Sequence, residues 1–273
     1  MSWQFTDDAE VFANHAHALL VADPVENTIT LTVLENIRAG NSSSPTLFGW
    51  YDDGSVLGAV SLTPPHEFVL TVVPTDTVDS LVAALRSRSV SFRGVRGEQR
   101  IAEIFATSWA KATGATWQTE VRQRLYELGT LVPPEGVSGH ARKAGAADQA
   151  IATQFFAEFQ AECHDSGDNP EAVMRDRIEA GLLCLWDDGE VASMAARNRI
   201  AAGVARVGPV YTPPNHRRRG YGAAVTAACS ADARQAGAAR VALFTDLANP
   251  TSNAIYQRLG YRAIRDEVII AFT

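Results

Sequence analysis

Apolar residues in the first half of the chain recur at spacings that predict an ordered series of helices and strands. Residues 9–20 and 28–39 carry apolar side chains at the 3.6-residue period of a helix. Asp52-Asp53-Gly54, between two short apolar runs, predicts a hairpin turn. The predicted elements of this half are helices at 9–20, 28–39, 78–85 and 98–112, a turn at 41–45, and strands at 47–51, 56–62, 68–73, 90–94 and 117–128, the last as one or two strands.

The same order of elements returns after a segment rich in Pro and Gly, residues 133–139, which predicts a linker. Asp187-Asp188-Gly189 again predicts a hairpin at the matching place. The predicted elements of this half are helices at 148–163, 170–180, 252–259 and after residue 222, and strands at 140–143, 182–186, 191–196, 203–211, 240–245 and 267–272. We therefore predict a tandem repeat of one mixed α/β unit, with domains at 1–133 and 140–273, each a mostly antiparallel mixed sheet flanked by helices.

Composition narrows the class of protein. A length of 273 residues leaves room for two domains of ordinary size. The formal net charge of −7 argues against a nucleic-acid binder, whose surface is usually basic. The three cysteines stand far apart and predict neither a zinc site nor a disulfide framework. An acidic N-terminus and the lack of a long apolar run predict a cytoplasmic protein with no membrane partner.

The stretch 207–222 is the most informative part of the sequence. It reads as an apolar strand, a turn with Pro213-Pro214, a basic loop with Gly220 and Gly222, and the start of a helix. The first N–H groups of a helix lack intrahelical acceptors and lie at the positive end of its dipole, so they bind anions. Glycine lets the backbone approach a ligand closely. The stretch predicts a phosphate or pyrophosphate site; the alternative is a basic surface turn.

The loop lacks the Gly-Lys-Ser/Thr ending of a P-loop and the Gly-x-Gly-x-x-Gly of a dinucleotide fold. It does contain Arg-x-x-Gly-x-Gly, from Arg217 to Gly222, and so resembles the pyrophosphate loop of the GNAT superfamily of acyl-CoA-dependent N-acetyltransferases. The resemblance implies that the preceding strand pairs with the acyl and pantetheine amides and that the loop holds the diphosphate. The residues it assigns to acetyl-CoA here are Val210, Tyr211, Thr212, Arg217, Arg218, Arg219, Gly220, Tyr221, Gly222 and Ala223.

A second motif spans residues 249–261. Asn249 is a good helix cap, Pro250 suits the first helical position, and Gly260 suits a left-handed stop. The pattern resembles the second GNAT signature, which implies that Asn249 and either Ser252 or Asn253 contact the cofactor. It also implies that Tyr256 protonates the departing thiolate. The alternative for Tyr256 is an ordinary core tyrosine.

Acyl transfer to an amine needs aligned reactants, a polarised carbonyl and a proton for sulfur. The backbone N–H of Val210 is the predicted oxyanion donor. Residues 205–210 contain no acid, so the general base stays unassigned. The candidates near the predicted substrate rim are Glu158, Glu162, His164, Asp165 and His216.

The first copy of the repeat differs where the chemistry is expected. Residues 73–78 contain neither glycine nor arginine, and Asp76 would repel a diphosphate. Gly94-Val95-Arg96-Gly97 is interpreted as a loop rather than a second cofactor site. We expect a non-catalytic first half and, in the second, an acetyl-CoA-dependent N-acetyltransferase that needs no metal. The expected acceptor is a small-molecule amine attacking directly in a ternary complex. The alternatives are an acyl-CoA-binding sensor or scaffold without turnover and a protein or peptide N-acetyltransferase.

Overall fold

The computed structural model describes residues 2–40, 46–163 and 167–273, so the turn predicted at 41–45 lies outside the described residues. The helices are α1 (Ala9–Ala22), α2 (Thr28–Arg38), α3 (Val78–Ser87), α4 (Gln99–Thr113), α5 (Gln149–Cys163), α6 (Pro170–Glu179), α7 (Tyr221–Gln235) and α8 (Pro250–Arg258). The strands are β1 (Ser2–Thr6), β2 (Leu47–Asp52), β3 (Val56–Leu62), β4 (Phe68–Val72), β5 (Gly94–Glu98), β6 (Trp117–Leu128), β7 (His140–Lys143), β8 (Leu183–Asp187), β9 (Val191–Arg197), β10 (Val204–Tyr211), β11 (Arg240–Asp246) and β12 (Tyr261–Phe272). This is the mixed α/β architecture that the sequence predicts.

The chain divides into two compact units. The first comprises Met1–Leu125, Asp246–Ala248 and Ile264–Thr273, and the second comprises Tyr126–Thr245 and Asn249–Ala263. The last ten residues of the chain therefore belong with its beginning. The linker predicted at 133–139 forms neither helix nor strand.

In the first unit the strands follow the order β1-β2-β3-β4-β5-β12. β12 runs antiparallel to β5, with Glu267 opposite Glu98 and Ala271 opposite Gly94. Helices α3 and α4 cover this sheet with buried side chains such as Leu81 and Phe105. The C-terminal strand contributes Val268 and Ile270 to the same core, so the first unit needs the end of the chain to complete its sheet.

In the second unit the order is β6-β11-β10-β9-β8-β7, with β6 contributing from Tyr126 onward. Successive residues of a strand point to opposite faces, and the two cores of this unit follow that rule. Leu183 and Leu185 of β8 pack with α5 and α6, whereas Cys184 between them packs with α7. The sheet is therefore covered on both faces, as a mixed α/β layer requires.

Three predictions about elements need correction. The strand predicted at 90–94 lies at Gly94–Glu98, and the Gly94–Gly97 segment interpreted as a loop is therefore strand β5. Its glycines permit close packing, because a Cβ at Gly94 would lie 2.2 Å from the Ile270 carbonyl oxygen. β1, with Trp3 buried, was not predicted, and the last strand begins at Tyr261 rather than at 267.

Helix ends in the second unit follow local rules that the sequence displays. The side chains of Asn169 and Asn249 accept hydrogen bonds from the first turns of α6 and α8, and a proline follows each asparagine. Gly260, after α8, has a φ of +96°, so the left-handed stop predicted there is confirmed.

Gly260 is constrained by space as well as by conformation, which yields a stability prediction. A Cβ at this position would lie 1.9 Å from the carbonyl oxygen of Thr130, whereas one at Gly237, with a similar φ of +98°, would meet nothing within 4 Å. We expect Gly237→Ala to lower the free energy of unfolding by about 1–2 kcal/mol, the cost of a left-handed residue. Gly260→Ala should lower it clearly further. Urea unfolding measures both variants, and equal losses would contradict the steric argument.

Candidate functional site

Strand β10 leaves its neighbour β11 partway along its length. The parallel pairing with β11 covers only Val204–Arg206 in the described structure, while the antiparallel pairing with β9 continues to Tyr211. The β9 ladder shifts register between Val207 and Val210, around a proline that has no N–H to donate. Beyond Arg206, the edge of β10 that faces β11 therefore has no strand partner among the described residues, so a ligand backbone could pair with it.

The loop after β10 delivers the start of α7 to this opening. Arg218 has a φ of +65° and Gly220 a φ of +87°, two left-handed residues that turn the chain into the helix. The bond from the Ala224 N–H to the Gly220 carbonyl is 3.0 Å long. The N–H groups of Tyr221, Gly222 and Ala223 precede it and, at a helix start, have no acceptor four residues back. This is the geometry of an anion site.

Both glycines of the motif are also required by packing within the protein. A Cβ at Gly220 would lie 2.9 Å from a methyl group of Val137, and one at Gly222 would lie 3.2 Å from the Thr212 Oγ1. A side chain at Gly220 would be strained by the left-handed φ and would displace Val137, whereas one at Gly222 would need only a small shift of Thr212. Substitution of either glycine would disturb the loop itself, not only a ligand.

The three arginines of the loop occupy different environments. Arg217 Nη2 lies 2.6 Å from Glu162 Oε1, and its Nε donates to the Thr212 carbonyl at 2.8 Å. Its guanidinium also stands 5.8 Å from the centre of the Tyr211 ring. Arg218 and Arg219 are exposed. All three arginines are exposed, but Arg217 is engaged by a carboxylate, whereas Arg218 and Arg219 have no ion pair shown in the described structure.

The side chain of Tyr221 is buried and points into the hairpin between β8 and β9. Its hydroxyl donates to the Asp188 carboxylate, which also accepts from Ser138 Oγ at 2.7 Å. Both hydrogen bonds lower the pKa of Asp188, and the bond from Tyr221 has the larger effect. The Tyr221 side chain thus holds the start of α7 against the hairpin. The backbone N–H of Tyr221 takes no part in this bond and is available to a ligand.

The polar residues of the second motif are hydrogen-bonded to one another. Asn249 Oδ1 accepts from the Ser252 N–H at 3.0 Å, and Asn253 Nδ2 donates to the Asn249 carbonyl at 2.8 Å. Asn253 Oδ1 accepts from the Tyr126 hydroxyl at 3.0 Å. Tyr126 lies near the end of β6, before the linker, and no sequence motif predicted a role for it. The three residues predicted to contact the cofactor thus form one hydrogen-bonded cluster at the start of α8.

Tyr256 is 8% exposed, one turn after Ser252. Burial raises the pKa of Tyr256 to about 12; the nearby Cys163 raises it as well, and a hydrogen bond with Ser252 acts in the opposite direction. Because the pKa lies far above neutral, the phenol keeps its proton. The side chain can therefore donate a proton, as the motif implies.

A pocket of about 590 Å³ opens beside Tyr211. The residues that line it are Ile151, Gln154, Phe155, Glu158, Ala161, Glu162, Glu190, Val191, Tyr211, Pro213, Pro214, Asn215 and His216. Three of the candidate bases, Glu158, Glu162 and His216, are among them. The other two, His164 and Asp165, lie outside the described residues.

Two kinds of feature are absent from the described residues. No group of three or more His, Cys, Asp or Glu side chains there could hold a metal ion. None of the helices described is both long and apolar enough to span a bilayer.

The family of the second unit follows from comparison with known proteins. Residues 148–261 match the model of the GNAT acetyltransferase family, and this range contains the loop, α7, α8 and Tyr256. Residues 148–261 therefore form a GNAT acetyltransferase-family domain. A search of curated proteins finds no match to the chain.

Solved structures extend the likeness in fold to the whole chain. A Drosophila protein superposes with a TM-score of 0.74 at 16% identity, over 99% of this chain and 98% of its own. A GNAT-family acetyltransferase from Colwellia psychrerythraea gives a TM-score of 0.60 at 13% identity, over 100% and 99%. A tandem GNAT protein from the clavulanic acid biosynthesis pathway gives 0.58 at 12%, over 100% and 98%. Family and fold are consistent with an acyltransferase enzyme.

The placement of the cysteines yields a direct test of the site's surroundings. Cys163 is exposed near Tyr256, whereas Cys184 and Cys229 are buried. We expect the folded protein to react quickly with a thiol reagent at one cysteine, and the unfolded protein at all three. Absorbance of the released thiolate counts the reacted groups. Cys163→Ser should abolish the fast reaction, and a fast reaction that survives this change would contradict the placement.

Proposed function

We propose that the protein transfers the acetyl group of acetyl-CoA to a primary amine of a small molecule. The observation that carries the proposal is the departure of β10 from β11 directly before a loop that opens into α7. This arrangement offers an unpaired strand edge for an extended amide-bearing arm and a helix start for its diphosphate. The exposed Arg218 and Arg219 add positive charge at the same place.

The proposed ligand contacts follow from this geometry. Val210, Tyr211 and Thr212 would border the pantetheine arm, and the N–H groups of Gly220 through Ala223 would hold the diphosphate. Arg217 differs from its neighbours, because its guanidinium already binds Glu162. For Asn249, Ser252 and Asn253 we propose contact through groups not used in their own cluster.

The proposed chemical step is direct attack within a ternary complex. The amine nitrogen bonds to the thioester carbonyl carbon, the carbon–sulfur bond breaks, and the Tyr256 hydroxyl gives its proton to the departing sulfur. The N–H of Val210 stabilises the negative charge that develops on the carbonyl oxygen. The attacking nitrogen releases its surplus proton to water or to a base in the pocket.

We propose further that residues 140–273 supply the catalytic domain and that residues 1–133 are a non-catalytic copy. The matching segment of the first unit is a short 3₁₀ turn at Thr75–Thr77, followed directly by α3. It carries Asp76 and no glycine, and the Trp3 Nε1 donates to the Thr77 carbonyl at 3.3 Å. A bulky indole and a carboxylate therefore stand beside that helix start, where a diphosphate would need open N–H groups.

Charge reversal of the exposed arginines tests the cofactor site without disturbing the glycines. We expect Arg218→Glu combined with Arg219→Glu to weaken acetyl-CoA binding at least about tenfold, because two attractive charges become repulsive. Calorimetry measures the dissociation constant. Arg175→Glu, an exposed position on α6, serves as the control and should bind normally. Equal affinity in all three proteins would remove the loop from the cofactor site.

Removal of the Tyr256 hydroxyl tests the proton donor. We expect Tyr256→Phe to lower kcat by about 10²–10⁴-fold, the usual contribution of a general acid, with little change in acetyl-CoA affinity. The control is Tyr261→Phe, which removes the buried hydroxyl of the neighbouring ring, 6.0 Å from that of Tyr256 between centroids and bonded to Ser230 at 2.7 Å, and should leave kcat nearly unchanged. Thiol release from acetyl-CoA with a panel of amines measures the rate.

The pH dependence follows from the same phenol. Because Tyr256 is protonated below a pKa of about 12, its ionisation should cause no loss of kcat between pH 7 and pH 10. A decline centred near pH 10 that disappears in Tyr256→Phe would contradict the burial argument.

Release of thiol without any added amine would identify hydrolysis of acetyl-CoA rather than transfer of its acetyl group.

A further inference from the structure

The pocket beside Tyr211 carries an unbalanced negative charge. Of the described residues that line it, three are glutamates, Glu158, Glu162 and Glu190, and none is a lysine or arginine. Glu162 is bound by Arg217 at 2.6 Å. For Glu158 and Glu190 the described structure shows no lysine or arginine within ion-pair distance; Glu190 lies only 3.5 Å from His216 Nε2.

Two of the carboxylates converge on the Tyr211 hydroxyl at the inner wall. This hydroxyl donates to Glu162 Oε1 at 3.3 Å. Burial raises the pKa of Tyr211, and a hydrogen bond with Glu158 raises it further. Gln154 Nε2 donates to Glu158 Oε1 at 2.9 Å. The Gln154 amide thus holds Glu158 beside the Tyr211 phenol, and a carboxylate with one such donor has lone pairs left to accept from a ligand.

Glu190 comes to the pocket from a different element, the hairpin between β8 and β9, and 73% of its side chain is exposed. His216, whose Nε2 faces it, is only 8% exposed, and its Nδ1 has no hydrogen-bond partner in the described structure. Buried ring nitrogens are normally bonded. One lining residue of the pocket therefore has a buried ring nitrogen without a hydrogen-bond partner in the described structure.

The remaining wall is apolar. Ile151, Phe155 and Val191 line it together with two prolines. Such a surface suits the methylene groups of a chain between two charged ends, because burial of each methylene stabilises the bound state. The pocket thus combines carboxylates from α5 and from the β8–β9 hairpin with an apolar surface.

We propose that this pocket binds the acceptor and selects one that carries a second cationic group in addition to the amine that is acetylated. The inference rests on the proposed function and deepens it, since it concerns the class of amine. Glu158 and Glu190 are the specificity-determining residues. A cation on the acceptor would supply the positive partner that neither carboxylate receives from lysine or arginine in the protein.

The test compares two probes that differ in one charge, 1,4-diaminobutane and butylamine. We expect the wild-type protein to use the diamine with a kcat/KM at least about tenfold higher, the effect of one added charge-assisted hydrogen bond. The double variant Glu158→Gln, Glu190→Gln should reduce this ratio to about one. Glu179→Gln, an exposed charge on α6, is the matched control and should keep the wild-type ratio.

Calorimetry with the same two probes gives a second measurement that does not depend on turnover. The diamine should bind the wild-type protein more tightly than butylamine, with an affinity that falls as salt is added. The double variant should lose this difference. Equal use and equal binding of the two amines by the wild-type protein would overturn the inference, as would a ratio that survives in the double variant.

The two proposals fail in different ways. Turnover of both amines at equal rates would leave the acetyltransferase proposal standing and remove the dicationic acceptor. Tight diamine binding that depends on Glu158 and Glu190, but without acetyl transfer to any amine, would support the pocket and overturn the proposed function.

Discussion

The divergence of β10 from β11 after Arg206 is the constraint on which the candidate site depends. A parallel ladder satisfies backbone groups on both strands, so its end leaves donors and acceptors that need other partners. The register shift between Val207 and Val210 redirects β10 while its ladder with β9 holds it in the sheet. One strand is thereby fixed on one edge and open on the other, and its end carries the loop that begins α7.

The same strand connects the two proposed subsites. Tyr211 ends β10; its hydroxyl reaches Glu162 in the pocket, and its carbonyl accepts from Ser193 at 2.8 Å. Arg217, six residues on, binds Glu162 and the Thr212 carbonyl. A charge change at Glu162 would therefore act on the acceptor pocket and on the cofactor loop together. For this reason Glu158 and Glu190, which lack that link, separate acceptor selection from cofactor binding more cleanly.

Local signals in the sequence predicted most of the fold, including the strand, loop and helix that form the candidate site. Hydrophobic period, hairpin turns and caps such as Asn249 act within a few residues, so the pattern displays them. The strand at Gly94–Glu98 was misplaced because two glycines weaken its hydrophobic pattern, and their reason, close contact with Ile270 and Leu70, involves residues distant in the chain. The pairing of β5 with β12 depends on contacts across more than half the sequence, which periodicity does not encode.

The site shows the same division between local and long-range information. The loop motif identifies the helix start, because its glycines and arginines are contiguous. It gives no means of distinguishing Arg217, bound to a carboxylate of α5, from the exposed Arg218 and Arg219. Similarly, Tyr126 reaches Asn253 across 127 positions of the chain. A family motif therefore locates the proposed cofactor loop, whereas the charges proposed to select an acceptor come from α5 and from the β8–β9 hairpin. Acceptor choice can change through those residues while the loop geometry stays fixed.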